Sequence, residues 1–322
     1  MDLVMDDWQP GASLSTLRLR AKLLASTREF FTNKGVLEVE TSTLSRFGTT
    51  DVYLNSIKAG LGSVSNCEEL YLQTSPELQM KRLLAMGVGP IYQICKAFRD
   101  DPVTSLHNPE FTIVEWYRPS FSMENLMNEV EEYVQTVVSC GKILRYSYQE
   151  VFEEKIGLNP HECSLDEIQK AAHTHLDIGS KDLRFTEYLD LVMSEVVEPN
   201  LPEFCFLYDY PECQAAMATI EIDDHGNQIA KRFELYCKGI EIANGYFELT
   251  DPIEQLGRLT SDNIERSKKG LPEMPIDERF FAALSAGIPK GSGVALGLDR
   301  LLMVMGDFEE IDSVLSFSIK RV

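Results

Sequence analysis

The apolar positions change period several times along the chain, and each change marks an element. Residues 13 to 34 carry Leu17, Leu24 and Phe31 on one stripe at helical spacing, predicting an amphipathic helix opened by Ser13 or Ser15. "GVLEVET" (35–41) reads as a short strand, and "TSPELQMKRLLAMGVG" (74–89) as a helix with Pro76 in its first turn and Gly87 and Gly89 ending it. "PIYQICKAFR" and "FTIVEWYR", rich in aromatic and β-branched residues, predict strands on either side of a polar loop. Residues 122–139 and 164–198 read as mainly helical. Strands return near "FCFLYDY", "KRFELYC" and "IEIANGYFEL", and "GSGVALGLDRLLMVMG" reads as a strand running into a helix. Hairpin-like connections occur at least twice. The pattern therefore predicts an α+β fold, an antiparallel sheet flanked by helices, as a single domain over residues 1–322. A mainly helical insertion is expected at about 120–200.

Composition narrows the function more than the fold. The 322 residues are 44% hydrophobic and 25% charged, ordinary for a globular chain. A net charge of -21 disfavours nucleic acid, since phosphate binding needs clustered Lys and Arg. A small molecule or a basic protein surface is the expected partner. "MDLVMDDW" has neither the basic start nor the apolar core of a secretory signal. No apolar run approaches the roughly 18 residues that span a bilayer. Seven cysteines, an odd number without a CxxC pair, suit reduced thiols, so a cytoplasmic protein without membrane attachment is expected.

Three stretches carry candidate chemistry. Alternation in the strand from Phe111 puts Phe111, Ile113, Glu115 and Tyr117 on one face and Thr112, Val114, Trp116 and Arg118 on the other. Phe111 and Tyr117 are then about 20 Å apart, the span of a nucleotide plus a small acid, and Arg99 at the end of the preceding strand reaches towards the middle. Taken alone, Glu115 reads first as half of a structural ion pair. "FELYCKGIEIANGYFEL" predicts a hairpin turning at Lys238-Gly239, with Tyr236 opposite Glu241 and Glu234 opposite Ala243. Glu234 and Glu241 become diagonal neighbours about 7–8 Å apart, suited to a Mg²⁺ that keeps waters and phosphates, or else two solvated carboxylates. Strict alternation turns Asn244 and Glu248 away, and a bulge at "ANG" would bring them back. "GSGVALGLDR" suggests a dinucleotide loop, but only 25 residues follow Gly297, too few for that unit. It reads better as a strand on which a ligand lies flat, with Asp299 and Arg300 opening a helix. His173 and His175 lack a third metal ligand in sequence, His161 and His225 lack partners, and no nucleophile elbow is present.

Together these blocks resemble the catalytic domain of class II aminoacyl-tRNA synthetases, in their lysyl branch. "GVLEVET", "FRDDPVTSLHNPEFTIVEWY" and "GSGVALGLDR" are similar to the three class II motifs, and "TSPELQMKRLL" and "RFELYCKGIEIANGYFELTD" to lysine-enzyme segments. The similarity runs over nearly the whole chain. The lysyl enzymes place an anticodon-binding domain before these motifs, whereas here the motifs start near residue 35, so no such domain is expected.

The resemblance extends to freestanding paralogues of the lysyl enzymes, implying a homodimer that uses ATP and Mg²⁺ to adenylate (R)-β-lysine or lysine. The product passes to a lysine side chain of elongation factor P, with no tRNA. By that resemblance Arg99 and Arg300 are catalytic, and Arg99, Asp100, Asp101, His107, Asn108, Phe111, Glu241, Ile242, Gly297 and Arg300 bind ATP. Ser75, Pro76, Glu77, Glu115, Tyr117, Asn244, Glu248 and Ala295 form the amino-acid site, and Glu234 and Glu241 hold Mg²⁺. The alternatives are a lysyl-type domain acting on another acceptor and an inactive amino-acid-binding module. Three departures stand out. The usual Arg-Asn-Glu is Arg99-Asp100-Asp101 followed by Pro102; Ser42 replaces the proline after "VET", at the dimer interface; and Ala295 stands where the tRNA enzymes have glycine.

Overall fold

The computed structural model describes residues 8–61, 69–179 and 183–322. Helix α1 (Leu14–Asn33) begins at Ser13, whose hydroxyl accepts from the Thr16 amide at 3.1 Å. Its buried face is rotated from the expected stripe: Thr16, Leu23, Thr27, Phe30 and Phe31 point inward. Thr27 can occupy that core because its hydroxyl lies 2.8 Å from the Leu23 carbonyl, to which it donates, and 2.7 Å from the Tyr133 hydroxyl.

Short strands β1 (Leu37–Glu38), β2 (Leu44–Ser45), β3 (Lys58–Ala59) and β4 (Leu70–Leu72) follow, then α2 (Glu77–Ala85), with Pro76 as its N-cap. The long hairpin β5 (Ile91–Phe98) and β6 (Glu110–Pro119) leads into α3 (Met123–Val137). Next come β7 (Leu144–Ser147), α4 (Tyr148–Ile156), α5 (Leu165–His175) and α6 (Phe185–Val192), the last continuing as a π-helical turn. The apolar pattern predicted neither β7 nor α4. Strands β8 (Phe204–Pro211), β9 (Ile220–Ile222), β10 (Gln228–Cys237) and β11 (Ile240–Phe247) precede α7 (Pro252–Lys268) and α8 (Glu278–Ala286). Strand β12 (Gly291–Gly297) then runs into α9 (Leu298–Gly306) as expected.

The main sheet has the order β1-β5-β6-β12-β11-β10-β8-β7, with β9 beside β10, and a small sheet has the order β2-β4-β3. The centre is antiparallel as predicted, but the outer pairs β1–β5 and β7–β8 are parallel. Parallel neighbours need a crossover, and helices supply it: α2 between β1 and β5, α4 to α6 between β7 and β8. One face of the sheet packs Val114, Trp116, Val294 and Leu296 against α1, α3 and α9. Phe31 stacks on Tyr92 at 4.4 Å and meets Trp116 at 5.1 Å, sealing that face. The other face is free to build a cavity.

Candidate active site

Three adjacent strands, β6, β12 and β11, floor a cavity of about 800 Å³ on the face away from α1, α3 and α9. Alternation in β6 puts Phe111, Ile113, Glu115 and Tyr117 along it. Beside them, β12 pairs Ala295 with Glu115 on one side and with Asn244 on the other. The floor must be flat where Gly293 pairs with Tyr117. A Cβ there would stand 2.4 Å from the Tyr117 ring and 2.5 Å from Glu248 Oε1.

The hairpin β10–β11 turns at Lys238-Gly239, both at positive φ (51° and 73°). Tyr236 faces Glu241 as expected, but Glu234 faces Asn244, not Ala243. The extra residue is Ile242, just before the "ANG" where a bulge was anticipated. It shifts the later residues by one, so Glu241, Asn244, Tyr246 and Glu248 all reach the cavity.

One end of the cavity is acidic. Glu115 is buried; its Oε1 accepts from the Tyr117 hydroxyl at 2.7 Å, and its Oε2 has no partner. Burial, reinforced by the charge of Glu77, pushes the Glu115 carboxyl up to about 8. Burial likewise lifts Glu248 to about 7, against the pull of Lys81. The Asn244 Oδ1 is buried without a partner, and Ser75 and Glu77 complete this end. Leaving such groups unpaired is costly, so this end is shaped for a ligand that donates.

The other end is cationic and aromatic. The Arg99 guanidinium lies over the Phe111 ring at 5.1 Å, and its Nε is buried without a partner. Arg300 donates to the Glu241 carbonyl at 2.8 Å and contacts His107 Nε2 at 2.9 Å. A guanidinium only donates, so Nε2 accepts and Nδ1–H is left to donate to the Thr104 hydroxyl at 2.8 Å. Burial first, then Arg300, lowers the His107 pKa, in keeping with a neutral ring.

Glu234 and Glu241 share a wall. Glu234 is bonded by Arg232 and by the Tyr236 hydroxyl, and desolvation together with the charge of Glu234 raises the Glu241 pKa. Among the described residues no group of three or more His, Cys, Asp and Glu forms a metal cage. Carboxylate oxygens are the donors that Mg²⁺ takes while keeping waters and phosphate oxygens in its shell; both oxygens of Glu234 here already accept hydrogen bonds, from Arg232 and Tyr236.

Most of the predicted residues meet here: Ser75, Glu77, Arg99, Asp101, His107, Asn108, Phe111, Glu115, Tyr117, Glu234, Glu241, Ile242, Asn244, Glu248, Ala295, Gly297 and Arg300 line the cavity. Pro76 and Asp100 do not; Pro76 caps α2, and exposed Asp100 is turned out where its amide binds the Asn55 carbonyl. Asn108 spends its amide on the Glu110 carbonyl and the Ile319 amide, so it holds the loop. Sequence reasoning missed Lys81, Arg232, Tyr246 and Gly293. Lys81 had a signal in its four-residue spacing from Glu77; the others depend on strand register. Asp299 is also structural: it accepts from the Thr112 amide and from Arg20, both at 2.6 Å, tying α9 to β6 and α1.

The cavity thus sets Arg99 and the Phe111 ring, with Arg300, on a sheet floor, and comparison identifies the class. The family model for class II tRNA synthetases of the D, K and N type matches residues 6–321, and the chain belongs to that family. Among curated relatives it is similar to proteins named elongation factor P--(R)-beta-lysine ligase. The Pasteurella multocida one is 46% identical over 321 residues and the Histophilus somni one (strain 2336) 47% over 319. That of Haemophilus influenzae (strain PittGG) is 46% identical over 321 residues; in all three the match covers 98% of both chains. No helix among the described residues is long and apolar enough to cross a membrane.

Proposed function

We propose that the chain is an ATP-dependent ligase that adenylates (R)-β-lysine or lysine and transfers it to a lysine side chain of elongation factor P. The observation that carries this reading is the polarity of one cavity. Unpaired carboxylate and amide oxygens of Glu115 and Asn244 lie at one end, and Arg99, Phe111 and Arg300 at the other. A diamino acid places its ammonium groups among Glu77, Glu115 and Glu248 and points its carboxylate at Arg99. Adenine lies against Phe111.

The substrate carboxylate attacks the α-phosphorus, the bond to the bridging oxygen breaks, and pyrophosphate leaves. Arg99 and Arg300 face the charge that spreads over the phosphoryl oxygens. Glu234 and Glu241 would hold Mg²⁺, which supplies charge neutralisation of the phosphates. The neutral amine of the acceptor lysine then attacks the mixed anhydride, releasing AMP. We assign Asp101, His107, Ile242 and Gly297 to the nucleotide and Ser75, Tyr117 and Ala295 to the amino acid, in a homodimer acting in the cytoplasm. The chain acts as one catalytic domain with residues 120–200 as an insertion. The net charge of -21 supports a protein acceptor over tRNA.

The test is incubation with ATP, elongation factor P and each lysine isomer, followed by mass spectrometry of the factor. One lysyl adduct on a lysine is expected. Labelling of tRNA in place of the factor would overturn the acceptor, and absence of lysine-dependent pyrophosphate exchange would overturn the enzyme.

A further inference from the structure

We infer that Lys81 is a positioning residue, a resident counter-ion that keeps Glu77 and Glu248 as oriented carboxylates and so sets the charge the amino-acid end accepts. The inference rests on the diamino-acid reading above. Lys81 is 1% exposed, and its Nζ lies 2.7 Å from Glu77 Oε1 and 2.6 Å from Glu248 Oε2. A third contact reaches Met217 Sδ at 3.9 Å. Buried and engaged by both carboxylates, Lys81 acts through its partners.

The charged and titratable groups around it come from three elements. They are Glu77 on α2 itself, Glu248 just beyond β11, and Glu115, Tyr117 and Arg118 on β6. Helix α8 packs on α2 with apolar Phe280 and Leu284. Three carboxylates against one ammonium leave two negative charges when all are ionised, the complement of two substrate ammonium groups. Burial alone would lower the Lys81 pKa, but Glu248 and Glu77 outweigh it and hold the ammonium charged. In return Lys81 draws Glu248 and Glu115 downward while Glu77 pushes Glu115 up. Without the ammonium, buried carboxylates would neutralise by taking protons and stop binding a cation at neutral pH.

The sign follows. A carboxylate must be ionised to hold an ammonium, so affinity for lysine rises with pH through about 7 to about 8, where Glu248 and Glu115 lose their protons. Calorimetric titration with each lysine isomer from about pH 6 to about pH 9 locates that rise. Lys81→Met should move its midpoint up by at least about one pH unit. Affinity at neutral pH should then fall about 10-fold, the gap closing as pH increases. Glu77→Gln should move the midpoint down, whatever affinity it loses. ATP binding, at the other end of the cavity, reports folding of each variant.

A parallel loss at every pH in Lys81→Met, with the midpoint unmoved, would make the residue merely structural. Should that variant fail to fold, a midpoint in Glu77→Gln that stays or rises overturns the inference. An unmodified protein that binds neither isomer removes the diamino-acid reading and the inference together.

Discussion

On the proposed mechanism Arg99 faces charge that is fully developed only while a phosphoryl group is in transit, so a small change there should have a large effect. Its guanidinium is fixed by the Phe111 ring, and its buried Nε is already free of protein partners. Such preorganisation needs no rearrangement during the reaction. Arg99→Ala is expected to slow lysine-dependent pyrophosphate exchange by at least about 100-fold, the usual scale for one such donor. Near-normal exchange would take Arg99 out of the mechanism. On the same reading Ala295 acts by size. Its methyl lies on the cavity floor between Glu115 and Asn244. A close-packed site feels one methyl, and an amine placed one carbon further along avoids it. Ala295→Gly should raise kcat/KM for α-lysine relative to β-lysine about 10-fold. Equal ratios in both proteins would show that Ala295 does not select the isomer.

At the scale of elements, the hairpin β10–β11 decides which carboxylates the site contains. Side chains alternate with a period of two, so one extra residue moves everything after it to the other face. Ile242 is that residue. Deleting it should turn Asn244, Tyr246 and Glu248 towards the core. Lysine-dependent exchange should then disappear and the midpoint of thermal unfolding should fall, since buried carboxylates would lose their partners. Retained exchange would mean that register does not aim these groups. The floor strand β12 shows the complementary constraint: Gly293 leaves the space that the Tyr117 ring and Glu248 occupy.

At the scale of the molecule, the excess of acid extends beyond the cavity. A chain of net charge -21 repels phosphate backbones and attracts a basic protein surface at long range. Association with elongation factor P should weaken as salt rises, chiefly through slower association, and stopped-flow rates across a salt series measure it. A rate independent of salt would exclude steering by charge. Much of the molecule was legible from local pattern. Alternation in "FTIVEWYR" correctly parted Glu115 and Tyr117 from Val114 and Trp116, and the glycines of "GSGVALG" correctly marked a floor strand. These signals survive in one dimension because strand period and glycine conformational freedom are properties of consecutive residues. What needed the tertiary structure were contacts between distant segments. The pairing of Lys81 with Glu248, the commitment of Asn108 to Ile319 and of Asp299 to Arg20, and the parallel edges of the sheet all join residues far apart in the chain. So does the position of the bulge, because an added residue is defined only against the partner strand that lacks it.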